Sequence, residues 1–191
     1  MIVCQLNRIY YPVTTLGYGK RLGVWFQGCP RRCEGCISPE MQPVLNHSMP
    51  IEQVLCAIPD TICPDGLTIS GGEPFEQPAA LRAFVEWFLE RYGDDILIYT
   101  GYLMDELVSM HNEDVTWILA HIAALIDGPY IQPQDDGKGA RGSANQRIHV
   151  FRYTDRYHHY AAQPRKLQCI YEHGQLFLVG IPPNRRDEQN G

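Results

Sequence analysis

Cys29, Cys33 and Cys36 form a C-x3-C-x2-C run within eight residues, close enough for three thiolates to reach one inorganic centre. Thiolate is a soft ligand that suits zinc and iron–sulfur clusters. Structural zinc takes four ligands, commonly as two separated pairs. Three cysteines on one short segment instead fit a 4Fe-4S cube, on which they leave one iron open to an outside ligand. A zinc site completed by His47 or a further cysteine is the competing reading. Gly28 and Gly35 let the backbone wrap closely and aim amide donors at the sulfides, or serve as plain turn residues.

A second group of candidates follows the next apolar run. Gly71-Gly72-Glu73-Pro74 either lets backbone approach a ligand or is a turn leading to a helix at Pro78. Thr100 and Asp127 end the two strands after it, where both would face one pocket mouth; Asp127 could equally only start a turn with Gly128-Pro129. No Ser/His/Asp set is identifiable, and His158-His159 between tyrosines reads as surface. Cys4, Cys56, Cys63 and Cys169 lack partners at ligand spacing and read as buried inert thiols.

The elements that must position these residues follow from hydrophobic periodicity. Residues 22–26 read as a buried strand that delivers the chain into the cysteine loop. Ile51, Val54, Leu55 and Ile58 recur at helical spacing after Pro50. Residues 67–70 form a second strand, and Leu81, Phe84, Val85, Phe88 and Tyr92 trace one helix face behind it. Residues 96–99 and 124–126 are further strands, with helical patterning at 104–108 and 118–122 between them. Residues 132–145 read as a long loop, and 148–153 and 175–179 as late strands.

Strands alternating with helices predict an α/β fold with a mainly parallel sheet, whose ligands gather at the carboxyl ends of the strands. The pairs are too few for a closed eight-stranded barrel, so a partial, open (β/α) barrel is expected. Such a barrel would leave the ligand side uncovered, which suits insertion of a protein loop. The 191 residues predict one domain with a polar tail from about residue 184.

Apolar residues make up 45% of the chain and charged residues 20%, as in globular domains. A net charge of −6 argues against nucleic acid as a partner. Lys20, Arg21, Arg31 and Arg32 lie near the cysteines in sequence and read either as a local positive zone or as ordinary solvated charge. Seven cysteines, no apolar N-terminal leader and no bilayer-spanning run predict a soluble protein of the reducing cytosol.

These residues resemble the radical S-adenosylmethionine family, and within it the activating enzymes of glycyl radical proteins. The match runs from Gly17-Tyr18-Gly19-Lys20-Arg21 and Trp25-Phe26-Gln27-Gly28-Cys29 to Gly71-Gly72-Glu73-Pro74 and Tyr99-Thr100-Gly101-Tyr102. It continues in Asp127-Gly128-Pro129 and Arg141-Gly142-Ser143 with Asn145-Gln146-Arg147, the segments that point to activators of anaerobic ribonucleoside-triphosphate reductase. Ile37-Ser38 stand where the family often has His-Asn. The resemblance implies a radical-type partial barrel, a 4Fe-4S cluster on Cys29, Cys33 and Cys36, and S-adenosylmethionine as second cofactor. It assigns the Gly71 and Gly72 carbonyls, assisted by Glu73, to the methionyl ammonium, and sets Thr100 and Asp127 near the carboxylate. No catalytic residue is expected beyond the cluster. The implied partners are a glycyl radical enzyme, the anaerobic reductase before others, and an electron donor such as flavodoxin. Two alternatives share part of this pattern: a radical enzyme acting on a small molecule, and a noncatalytic iron–sulfur or zinc module.

Overall fold

The structure is a computed structural model that describes residues 1–172 and 174–183. The polar tail expected from about residue 184 lies outside the described residues. Among the described residues ten strands and five α-helices follow one another as β1 (Val3–Cys4), β2 (Leu6–Val13), β3 (Arg21–Phe26), β4 (Met49–Pro50), α1 (Ile51–Ala57), β5 (Gly66–Gly71), α2 (Pro78–Arg91), β6 (Ile96–Tyr99), α3 (Met104–Ser109), α4 (Glu113–His121), β7 (Ala124–Asp127), β8 (Arg147–Val150), α5 (Thr154–Tyr157), β9 (Leu167–Glu172) and β10 (Gln175–Gly180).

The central sheet has six strands in the order β2-β3-β5-β6-β7-β8. β3, β5, β6 and β7 are mutually parallel, while β2 and β8 run antiparallel at the two edges. The fold is therefore α/β with a mostly parallel sheet, as the alternation of strands and helices predicted. The sheet is open at β2 and β8. Among the described residues no helix is long and apolar enough to cross a membrane.

Strand alternation sends one set of side chains to each face. Leu22, Val24, Phe26, Leu67, Ile69, Ile96, Ile98 and Leu125 face helices and pack with Val54, Leu81, Phe84, Phe88 and Ile118. The opposite face carries Trp25, Leu97, Tyr99, Ala124 and Ile126, and the chain after β8 folds back over it. Tyr157 and Tyr160 cover its β6–β7 side, and Ile170 and Val179 of the β9–β10 hairpin cover Val13 and Trp25. That face is thus less bare than the chain length suggested.

Two expectations about polar residues change. Arg21 begins β3 while the cysteines follow its other end, so Arg21 and Lys20 are separated from the cysteine loop by the length of the strand. Arg21 is fully buried and pairs with Asp95 at 3.1 Å, and the positive zone expected from the sequence does not form there. Only Cys4 of the four scattered cysteines is buried; Cys56, Cys63 and Cys169 are exposed. The first two belong to or follow the short helix α1, and Cys169 lies on the outward side of β9, so neither element has a second layer to cover them.

Candidate functional site

The carboxyl ends of β3 and β5 bring the cysteine loop and the Gly-Gly-Glu-Pro turn together. β3 ends at Phe26, and Gln27 opens a loop that returns to its own base. Gly28 N donates to Met41 O at 2.8 Å and Cys29 N to Gln42 O at 2.9 Å. The buried Gln27 amide spans the same neck, donating to Glu40 O at 3.1 Å and Pro43 O at 2.7 Å. A loop of this length, closed by its own backbone, has little freedom to lose when it binds a ligand.

Cys29, Cys33 and Cys36 are all half-buried and unpaired. Burial pushes the Cys29 thiol up, and the backbone N–H groups of Arg31 and Arg32 pull it the other way. Arg32 adopts φ 45°, a left-handed turn that lets successive amides point at one sulfur. Gly28, one of the two glycines expected to offer amides to the sulfides, spends its own amide on Met41 O. Among the described residues no three His, Cys, Asp or Glu side chains converge closely enough for one metal ion, and His47 is exposed. A cube offers each thiolate its own iron, so thiols need not meet at a point, and three free sulfurs on a pinned loop fit that donor set.

The glycine pair serves this loop directly. Gly72 N donates to Phe26 O and Glu73 N to Gly28 O, both at 2.8 Å. A Cβ on Gly72 would lie 2.8 Å from Met41 O and nearer still to Gly28 O. Gly71, at φ 110°, is pressed on the backbone of Trp25 and Phe26. Backbone cannot step aside as a side chain can, so Gly72→Ala is expected to cost about 1–3 kcal/mol of stability. It should also leave the loop with less iron after reconstitution. Thermal melting and iron analysis check this, and a variant equal to wild type in both would show that the close approach is unimportant.

Glu73 is fully buried beside this turn. Its carboxylate accepts from Thr100 Oγ1 at 2.8 Å, Gly101 N at 2.7 Å and Phe75 N at 3.1 Å. Burial nonetheless pushes the carboxyl up to about 7. A buried carboxylate held by three neutral donors, with the nearby Arg31 paired to Glu106 instead, can receive a positively charged group.

Thr100 thus joins the Glu73 cluster, but Asp127 does not. Asp127 is fully buried on the far side of β6, where Oδ2 accepts from Met104 N at 2.8 Å and Oδ1 from Arg147 N at 3.3 Å. His149 Nε2 lies 2.9 Å from Oδ2, at an angle that makes no hydrogen bond and forms an ion pair only when the ring is protonated. Asp127 therefore fixes the start of α3 and the entry to β8.

The segment Gly142-Ser143-Ala144-Asn145-Gln146-Arg147, whose chemical role was not derivable from spacing, proves to brace the Asp127-Gly128-Pro129 turn. Asn145 Nδ2 donates to Pro129 O and Gln146 Nε2 to Gly128 O, both at 2.8 Å. Gln146 Oε1 accepts from Gly142 N and Ser143 N, and Ser143 Oγ accepts from Ile131 N. The two motifs are one hydrogen-bonded unit. Gln27, which the sequence shows only as part of a motif, and Arg31, which it shows only as one of four basic residues, have contacts that spacing does not reveal.

A family model described as a 4Fe-4S single cluster domain matches residues 15–149. Over 153 residues the chain is 36% identical to the anaerobic ribonucleoside-triphosphate reductase-activating protein of Haemophilus influenzae, an alignment covering 75% of this chain and 96% of that protein. It is 34% identical over 153 residues to the protein of the same name from Vibrio cholerae, covering 74% and 96%. The Escherichia coli protein of that name is 32% identical over 154 residues, covering 75% and 97%.

Proposed function

The chain belongs to the family of anaerobic ribonucleoside-triphosphate reductase-activating proteins, with their 4Fe-4S single cluster domain, and from this membership we propose how its own residues do that work. It is an activating enzyme of the radical S-adenosylmethionine type, and its partner is the anaerobic ribonucleoside-triphosphate reductase. The observation that carries the reading is the neck shared by two motifs: the cysteine loop closes on itself at Gly28 and Met41, and Gly72 is pressed into that closure.

In this proposal Cys29, Cys33 and Cys36 hold the cluster, and Gly71, Gly72, Glu73 and Thr100 receive S-adenosylmethionine. When bound, the cluster supplies one electron that splits the carbon–sulfur bond of the sulfonium, and the carbon radical so released takes hydrogen from a glycine of the reductase. The carbonyls at Gly71 and Gly72 would accept from the methionyl ammonium. Glu73 sits within the same turn and gains a counter-charge from it, which favours the ionised carboxylate that burial alone disfavours. Asp127 acts from behind by holding α3 and the Gly142–Arg147 brace in register with the strand ends.

We also read residues 1–191 as one domain, the open sheet as a partial (β/α) barrel, the cytoplasm as its compartment and a flavodoxin-like protein as electron donor. The parallel strands with helices on one face support the barrel reading.

The test is spectroscopic. Reconstituted with iron and sulfide without oxygen, the protein should be brown, become paramagnetic with dithionite and change that signal on adding S-adenosylmethionine. Mixed with the anaerobic reductase, it should raise a persistent protein-based doublet. A colourless protein with one tight zinc would overturn the proposal. Glu73→Gln keeps the size and removes the charge, so the cofactor should bind about tenfold or more weakly, in line with the loss of a hydrogen bond to a charged group. Equilibrium binding to the reduced cluster form measures it, and unchanged affinity would remove Glu73 from the site.

A further inference from the structure

Between the first two cysteines the chain carries Arg31, and its side chain leaves the loop. Arg31 Nη2 lies 2.6 Å from Glu106 Oε2 at the first turn of α3. Its guanidinium stacks over the Tyr102 ring at 4.2 Å. On the way the stem crosses Gly101 so closely that a Cβ there would lie 3.2 Å from Arg31 Cγ and 3.4 Å from Glu73 Oε2. Gly101 N is the donor to that same Glu73 oxygen, at 2.7 Å. Glu106 is held in turn by Leu103 N at 2.6 Å, and Tyr102 OH bonds Glu76 beyond the Gly-Gly-Glu-Pro turn.

An exposed ion pair alone contributes little. Here one guanidinium makes two different contacts and its stem fills the space over a glycine, so the loop is tied at three points to the segment after β6. We propose that Arg31 is a positioning residue, a latch that sets the distance between the cysteine loop and the Glu73 carboxylate. The neck at Gly28 and Met41 holds the two ends of the loop; among the described residues no backbone hydrogen bond ties Pro30, Arg31 or Arg32 to another element. The latch joins the middle of the loop to the residues that hold Glu73. It therefore brings the metal-binding side of the site into register with the ammonium-binding side.

This inference rests on the cluster and cofactor reading above, and the experiment separates the two. Arg31→Ala, Glu106→Gln and the double variant are reconstituted beside the wild type. Glu106→Gln retains an acceptor for Leu103 N and loses only the charge. Two readouts are taken: the rate at which a chelator strips iron, and the change in the reduced electron paramagnetic resonance signal on adding S-adenosylmethionine. Loss of a cation–π stack and an ion pair should speed stripping by about tenfold in Arg31→Ala. Glu106→Gln should shift it in the same direction, and the double variant should be no worse than Arg31→Ala, since both changes break one contact. The cofactor-dependent signal should broaden or weaken while the melting point of the cluster-free protein stays unchanged.

Rates within about twofold of wild type, or fully additive effects of the two changes, would overturn the latch. Should Arg31→Ala not fold, Glu106→Gln alone decides by the same readouts. A wild-type protein that holds no cluster at all would instead sink the reading on which the latch depends.

Discussion

Cys33→Ala is expected to abolish cofactor cleavage, lowering 5′-deoxyadenosine release by more than about 100-fold, beyond what loss of a residue that merely supports a ligand produces. Cys33 is the middle of three half-buried thiols on a loop closed at its base. With one gone, two thiolates on a short segment cannot hold a cube, and neither His47 nor another described side chain stands ready to replace it. Iron and sulfide content, the brown chromophore and the reduced paramagnetic signal should fall together with product. Cys56→Ala and Cys169→Ala serve as controls, because both residues are exposed and neither belongs to the loop. Near-normal product release by Cys33→Ala would exclude Cys33 as a ligand and with it the proposed cube. A loss equally large in Cys56→Ala would point to a different set of thiols.

What could be read from the sequence was what is written locally. β3, β5, β6 and β7 are buried on both faces and appear as short continuous apolar runs, the pattern of a parallel sheet between two layers. α1 and α2 announce themselves by helical spacing after proline. β2 escaped because it is an edge strand: Leu6–Val13 is only half-buried, carries Pro12, and mixes aromatic and polar residues in a way that gives no clean alternation. β9 escaped for a related reason, since Leu167, Cys169 and Tyr171 face out and the strand it pairs with is the neighbouring β10.

The site divides along the same line. The cysteines and the Gly-Gly-Glu-Pro turn could be found by residue type and spacing. The reason the turn needs its glycines could not, because the atoms they approach, Gly28 O and Met41 O, belong to a loop that lies well before it in the chain. Asp127 was found as a strand-end carboxylate. Its actual partners, Met104 N and Arg147 N, are backbone groups that no residue pattern reveals. Arg31 looked like one charge among several, and its use depends on Glu106, 75 positions away.

Arg21 shows how far that blindness extends, and it supports the second large effect. Next to exposed Lys20 it reads as surface charge, yet its side chain is fully buried. All five guanidinium N–H groups have acceptors. Nε donates to Thr68 Oγ1 at 2.6 Å, Nη1 to Asp95 Oδ1 at 3.1 Å and Tyr18 O at 3.2 Å, and Nη2 to Leu67 O at 2.7 Å and Asp95 O at 2.8 Å. These acceptors come from the entry to β3, from β5 and from the turn before β6. Asp95 also accepts from Arg156 Nη1 at 2.6 Å and Tyr157 OH at 2.5 Å, which moor α5 to the same point. One cation therefore fastens the amino ends of three parallel strands to the segment that covers the inner face.

Arg21→Met keeps much of the volume and removes every donor. Breaking one side of a buried ion pair usually costs about 3–5 kcal/mol, because the remaining charge loses its compensation. Asp95 keeps Arg156 here, which sets the expectation near the lower end, about 3 kcal/mol or roughly a 6–12 °C fall in melting point for a chain of this size. Arg21→Lys should recover only part of it, since one ammonium cannot serve acceptors arranged around a planar fork. Iron retention at low temperature should be unaffected in either variant, because the cysteine loop stands at the opposite end of β3. A melting point within about 2 °C of wild type would mean that the network's desolvation cost cancels its hydrogen bonds. Arg21 would then serve only to select one packing of α5 over others, and proteolysis of the segment after β8 would be the place to see it.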